Sequence, residues 1–257
     1  LFIPGFFEGA ADGRFLLGLF IADCQRRTIF MSRLILAYHR ILPKNPERNP
    51  LVVTTDQFEQ QIKYLLHRTH QSFWITFDDG YQDNFLYAFP ILKKYNLTAT
   101  FFVTTGYIGL RKPFYWDYKN YTSFTDQEYC MTWDQLRQLH AAGMEIGSHT
   151  VHHYELTQLT ESEIIAELAE SKKMLDTNLS QNTGSLCYPR GAYHVALNDL
   201  ARRSGYDRAV ITPSIDNIQE TQYTLKRIGI YGHDDLRRFV FKISPLFRLL
   251  RRLRRAT

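Results

Sequence analysis

The sequence predicts an α/β fold, either a barrel or a doubly wound sheet, on three observations. Short apolar runs alternate with longer stretches of helical periodicity, the pattern of repeated βα units. Some of those longer stretches open with residue pairs that cap helix N-termini. Carboxylates and histidines follow directly on two of the apolar runs, at the carboxyl edge where such folds collect their working side chains. With 257 residues, 44% hydrophobic and 22% charged, the chain has an ordinary globular composition and enough length for one large domain.

Seven runs read as strands: LILAYH (34–39), FWITF (73–77), TATFFVT (98–104), MEIGSH (144–149), SLCYP (185–189), RAVIT (208–212) and TLKRIGIY (224–231). Helical patterns separate them. FEQQIKYLL sets Phe58, Ile62, Leu65 and Leu66 on one helical face. Thr132 with Gln135, and Thr160 with Glu163, have the spacing of capping boxes, in which the two side chains satisfy free backbone N–H groups reciprocally. No internal repeat or low-complexity segment interrupts the pattern.

The stretch SFWITFDDGYQD (72–83) ends a buried strand on two adjacent carboxylates, Asp78 and Asp79, followed by Gly80. A plain strand-terminal turn is one reading, since Asp and Gly favour turns. The stretch GSHTVHH offers another, because His149 and His153 lie four apart just after a second predicted strand. If that stretch turns helically, the two imidazoles converge. Two imidazole nitrogens and one carboxylate oxygen form a donor set suited to zinc with an open position for water. His152, between them, faces the wrong way in such a turn to join the set.

TFDDG and SHTVHH resemble the first two motifs of the NodB-type polysaccharide deacetylases, carbohydrate esterase family four. The resemblance runs over roughly residues 33 to 231 and includes YHRI, FEQQIKYL, ILKKYNLTATFFV, MTWDQL and YPRGAY in the family's order. It implies a distorted (β/α)7 barrel and hydrolysis of an N-acyl group, usually acetyl, from an amino sugar. It also implies that Asp79, His149 and His153 are metal ligands, for Zn2+ first and Co2+ or Ni2+ as alternatives, and that Asp78 is the general base. The chemistry agrees: a bound zinc acidifies water and polarises an acyl oxygen, and a carboxylate off the metal takes the proton.

The third motif departs from the pattern. Many family members carry an arginine two residues before the motif's proline to hold the catalytic aspartate, and Cys187 stands there in CYPRGAY. The chain looks like the Tyr-Pro-x-Gly subgroup, in which the N–H after Pro189, that of Arg190, is the expected oxyanion donor. Arg227, in the late strand, is the candidate to orient Asp78 in place of the missing arginine. The family's leucine-x-histidine acid motif is absent. His39, at the end of the first strand, is the leading substitute proton donor, with His233 behind it. Trp133 and Tyr188 are candidates for a sugar platform, with packing as the alternative for Trp133.

The net charge of +5 is a property of one end. Residues 237–257 hold eight Lys or Arg and no acid, leaving 23 basic against 26 acidic residues elsewhere, so no nucleic-acid groove is expected. PLFRLLRRLRR separates leucines and arginines onto two helical faces, which suits either an anionic membrane surface or docking on the barrel. The expected organisation is an extension over 1–30, a catalytic domain over 31–236 and a basic amphipathic tail over 237–257. RFLLGLFIADC is too short to span a bilayer and lacks a small-x-small cleavage site. With Met31 as a start no export signal remains, so a cytoplasmic enzyme, or one peripheral to the inner membrane face and acting on a glycan or glycolipid of the cell envelope, is expected. Cys24, Cys130 and Cys187 form no disulfide framework. A metal-dependent amidase on a non-sugar substrate and a catalytically silent carbohydrate-binding homologue are the competing classes.

Overall fold

The structure, a computed structural model, describes residues 34–45, 47–68, 72–119, 128–213 and 218–247. The predicted extension over 1–30 and the arginines from 248 onward lie outside these residues. All seven predicted strands form. In chain order the strands are β1 (Leu34–Tyr38), β2 (Arg40–Leu42), β3 (Val52–Thr54), β4 (Phe73–Phe77), β5 (Ala99–Val103), β6 (Glu145–Ser148), β7 (Ser185–Cys187), β8 (Arg208–Ile211), β9 (Leu225–Lys226) and β10 (Ile228–Gly229). The helices are α1 (Thr55–Arg68), α2 (Phe89–Lys94), α3 (Trp133–Ala141), α4 (Glu161–Leu179), α5 (Ala196–Arg203) and α6 (Leu236–Ile243).

The main sheet is parallel throughout, in the order β10-β1-β4-β5-β6-β7-β8-β9. Its two ends are halves of one strand separated by a single residue, Arg227. Leu225–Lys226 pairs with β8 and Ile228–Gly229 with β1, so residues 225–229 close seven strands into a distorted barrel. The opposite seam is thin: β6 and β7 share one registered pair, Ser148 with Leu186. Closed parallel sheets bury both faces of each strand, which is why β1 and β5 are uniformly buried and read as unbroken apolar runs.

Packing divides into two cores. The larger joins β1, β4 and β5 to α1, α2, α3 and α6, with Phe77 stacked on Phe101 at 4.9 Å and edge-on to Phe58. Truncating any of these rings to Ala costs about 3–5 kcal/mol. The smaller gathers α4, α5, β7 and β8 around Leu168, Leu186 and Leu197. On α1, Phe58, Ile62 and Leu65 are buried as the periodicity predicts, but Leu66 is exposed. Gln61 takes the inner position instead, accepting from the Tyr38 hydroxyl and donating to the Asp234 carbonyl. Both predicted capping boxes form, at Thr132–Gln135 and Thr160–Glu163.

Two elements lie beyond the sequence reading. β2 and β3 pair as a small parallel sheet, too short for periodicity to register. The boundary expected at residue 236 also moves, because Phe239 and Ile243 on α6 belong to the larger core. Residues 237–243 therefore belong to a docked helix. Among the described residues no helix is long and apolar enough to cross a membrane.

Candidate active site

Each carboxylate owes its aim to local backbone. The N–H of Asp78 still donates to Tyr38 O at 2.9 Å, so Asp78 is held as an extension of β4. The chain then turns through two left-handed residues, Asp79 at φ +70° and Gly80 at φ +90°. A Cβ on Gly80 would stand 2.7 Å from Val103 Cγ1, so only glycine fits there without displacing β5. The turn does not rest on Gly80 alone. Asp79 shares it, a conformation that Asp tolerates better than most residues.

His149 and His153 do converge on Asp79, by a different route from the one expected. Residues 149–153 form no helical turn; Thr150 at φ +66° and His153 at φ +62° bend the loop back on itself. Asp79 Oδ1 lies 3.5 Å from the Nε2 atoms of both His149 and His153, and all three residues are buried. Four donors set tetrahedrally about 2.1 Å from zinc stand about 3.4 Å apart, so this spacing matches one ion. His149 Nδ1 lies 2.8 Å from Cys187 O, an acceptor only, which makes Nδ1 a protonated nitrogen and turns Nε2 toward Asp79. That bond crosses the thin β6–β7 seam.

Arg227, at the break in the closing strand, clamps Asp78 in two bonds. Nη1 reaches Oδ1 at 2.6 Å and Nη2 reaches Oδ2 at 2.5 Å, with both side chains almost wholly buried. Its other donors are held by Thr76 Oγ1, Thr212 Oγ1 and Cys187 Sγ. The small Cys187 side chain thus leaves room for a guanidinium supplied by another strand. His39 completes the group: Nε2 is 4.0 Å from Asp78 Oδ2, and Asn84 donates to the His39 carbonyl at 2.8 Å.

The electrostatics separate these groups. Burial pushes the Asp78 carboxyl up, but the charge and hydrogen bonds of Arg227 outweigh it and hold the group well below the usual carboxylate range. Asp79 is also lowered: burial opposes its charge, and the His149 hydrogen bond and the charge of His153 overcome that. His153 is pushed down to about 3, by burial first and His149 second, and is neutral. His149 moves the other way. Burial disfavours its charge, yet Cys187, the Asp79 bond and Asp78 raise it well above the ordinary imidazole value. Among the described residues Asp79 has no Lys or Arg partner. A buried carboxylate answered only by imidazoles is the donor chemistry of a divalent-cation site.

The remaining candidates separate. Pro189 and Arg190 lie in the turn after β7, with Arg190 at φ +57°. Among the described residues the Arg190 N–H meets no protein acceptor, while its exposed guanidinium donates to the Tyr115 hydroxyl at 3.3 Å. Tyr188 is 1% exposed and donates to Leu197 O, so its ring lies in the smaller core and forms no platform. Trp133 packs on the larger core at the first turn of α3, the packing alternative. His152 points away from the cluster to Glu167, and His233 is exposed beside Asp234. Trp116 went unread, although its ring stands 4.3 Å from that of His153. The aromatic run FYWDY in the β5–α3 connection was the available signal.

The class of protein follows from comparison with known sequences. A family model described as polysaccharide deacetylase matches residues 67–209, more than half of the chain. YxkH of Bacillus subtilis, assigned by name to the polysaccharide deacetylases, is 30% identical over 217 residues, which are 76% of this chain and 70% of that protein. The poly-beta-1,6-N-acetyl-D-glucosamine N-deacetylase of Staphylococcus aureus is 27% identical over 202 residues, covering 62% of this chain and 65% of that enzyme. The structure of the Streptococcus pyogenes deacetylase PplD in complex with acetate superposes with a TM-score of 0.67 at 28% identity, over 82% of this chain and 98% of that one. The chain belongs to the polysaccharide deacetylase family of enzymes, and polysaccharide deacetylation is the activity that membership carries.

Proposed function

We propose that this chain hydrolyses the N-acetyl group of an amino sugar in a polysaccharide or lipid-linked glycan, with Asp79, His149 and His153 holding a divalent cation, Zn2+ first among the candidates. The observation that carries the reading is one oxygen, Asp79 Oδ1, set 3.5 Å from two imidazole nitrogens beside a second carboxylate that is tied elsewhere. When bound, such a cation supplies Lewis acidity toward the acyl oxygen and the attacking water. Asp78 takes the proton of that water. Clamped by Arg227, it is a fixed and weak base, so it passes the proton on rather than keeping it. His39, 4.0 Å away, receives it and protonates the departing amine. The Arg190 N–H donates to the developing oxyanion.

Within the family, Tyr188-Pro189-Arg190-Gly191 supports membership of the Tyr-Pro-x-Gly subgroup, with Arg227 in the part of the arginine absent at Cys187. The basic sequence after α6, with Phe241 and Leu246 exposed just before it, supports contact with an anionic membrane surface. Loss of vesicle binding on deleting residues 245–257 is the expected result there.

The test is acetate release from N-acetylglucosamine oligomers by the zinc-loaded protein and by His39→Gln, alongside simple N-acetyl amides. Release from the oligomers, reduced about 10²–10⁴-fold by His39→Gln, is expected. Turnover of the simple amides alone would favour a general amidase, and zinc binding without turnover a silent binding protein.

A further inference from the structure

The loop carrying both histidines keeps its strained shape because a carboxylate from another element holds it. Every backbone N–H from 149 to 153 has a partner. His149 donates to Val103 O at 2.9 Å, Thr150 to Ser148 Oγ at 3.2 Å and His153 to Thr150 Oγ1 at 3.0 Å. The two in the middle, of Val151 and His152, converge on one oxygen of Glu167, at 3.0 and 2.9 Å. The other Glu167 oxygen meets His152 Nδ1 at 2.5 Å. One carboxylate oxygen thus accepts both backbone N–H groups while the other holds the His152 ring.

The placement of Glu167 has no packing explanation. It lies on the buried face of α4 with Ile164, Leu168, Ser171 and Leu175, where an acid is unfavourable unless bonded. Ser171, one turn further on, meets Ser148 at 2.7 Å, so α4 grips both the end of β6 and the loop after it. The loop needs that grip. A β-branched threonine and a histidine both at positive φ persist only where their surroundings hold them.

We propose that Glu167 is a positioning residue for the metal site: by fixing the backbone between His149 and His153, it sets the affinity for the divalent cation. This rests on the reading of Asp79, His149 and His153 as the ligand set. Its test is zinc binding to the metal-free protein, by competition with a chromophoric chelator, with thermal unfolding measured in parallel. E167A weakens zinc binding about 10–100-fold, the usual consequence of losing the support behind a ligand, and excess zinc restores its kcat. H152A, which keeps both backbone bonds, loses less. E163A removes the α4 capping box and lowers thermal stability without changing zinc affinity. Should E167A fail to fold, E167D, with its carboxylate withdrawn by one methylene, carries the same expectation. Zinc binding by E167A or E167D within about twofold of wild type, or an equal loss in E163A, overturns the proposal. If wild type itself takes up no zinc, the ligand assignment fails and this inference with it.

Discussion

The two ends of the barrel both carry polar networks, and only one has the makings of a site. At the strand starts, Glu145 accepts from Thr100 Oγ1, Ser185 Oγ and Arg208 Nη2, and Trp74 Nε1 donates to Thr100. That belt ties four neighbouring strands, β5 to β8, with β4 joined through Trp74. Its charges cancel, and Glu145 and Arg208 retain 35% and 28% side-chain exposure. At the strand ends, Asp78 is matched by Arg227 but Asp79 faces only imidazoles, and Asp78, Asp79, Arg227, His149 and His153 are all buried. The difference is therefore a buried carboxylate met by imidazoles instead of by a fixed cation, rather than one of polarity.

Exchange of single groups breaks or sharpens this contrast. Asp78→Asn has the largest expected effect, a drop in kcat of about 10²–10⁴-fold on N-acetylated oligomers with zinc content unchanged. Coincident loss of zinc would make Asp78 a ligand instead. Arg227→Met leaves a buried carboxylate unpaired and costs about 3–5 kcal/mol of stability in urea unfolding. It also has a pH signature. With the guanidinium gone, burial dominates and the Asp78 pKa rises, so the acid limb of kcat/KM moves to higher pH. A variant as stable and active as wild type would remove Arg227 from the site. Glu145→Gln, at the neutralised end, costs about 1–3 kcal/mol and leaves zinc affinity alone.

Proton competition provides a finer test of the strand-end cluster. His149 is raised above its ordinary value in the metal-free protein and must shed its proton to bind a cation through Nε2. Zinc affinity then climbs as pH rises toward that value and levels off above it. An affinity independent of pH from 5 upward would mean that His149 is not a ligand. The strand-start belt predicts no such dependence.

Most of the fold was legible because barrel strands are continuous apolar runs bounded by turns, a pattern that β1, β4 and β5 follow closely. Asp79, His149 and His153 were legible as residue types at strand ends, and Arg227 as an arginine in the late strand. What escaped depends on geometry that sequence spacing does not encode. Nothing in GSHTVHH distinguishes a helical turn from the two left-handed residues observed. Tyr188 and Trp133 read as aromatics near a site, and their burial is decided by α5 and the larger core. Leu66 and Gln61 exchanged roles because Tyr38 and Asp234 offer a buried amide two partners. Glu167 did leave a trace: it is an acid in the middle of an inward-facing stripe.

The most direct measurement is a titration of zinc into metal-free wild-type protein and into Asp79→Asn, side by side. One equivalent bound tightly by wild type, with affinity reduced at least about 10-fold in the variant, is the predicted result. Identical curves for the two proteins, or no uptake by wild type, would contradict the assignment of this cluster as a cation site.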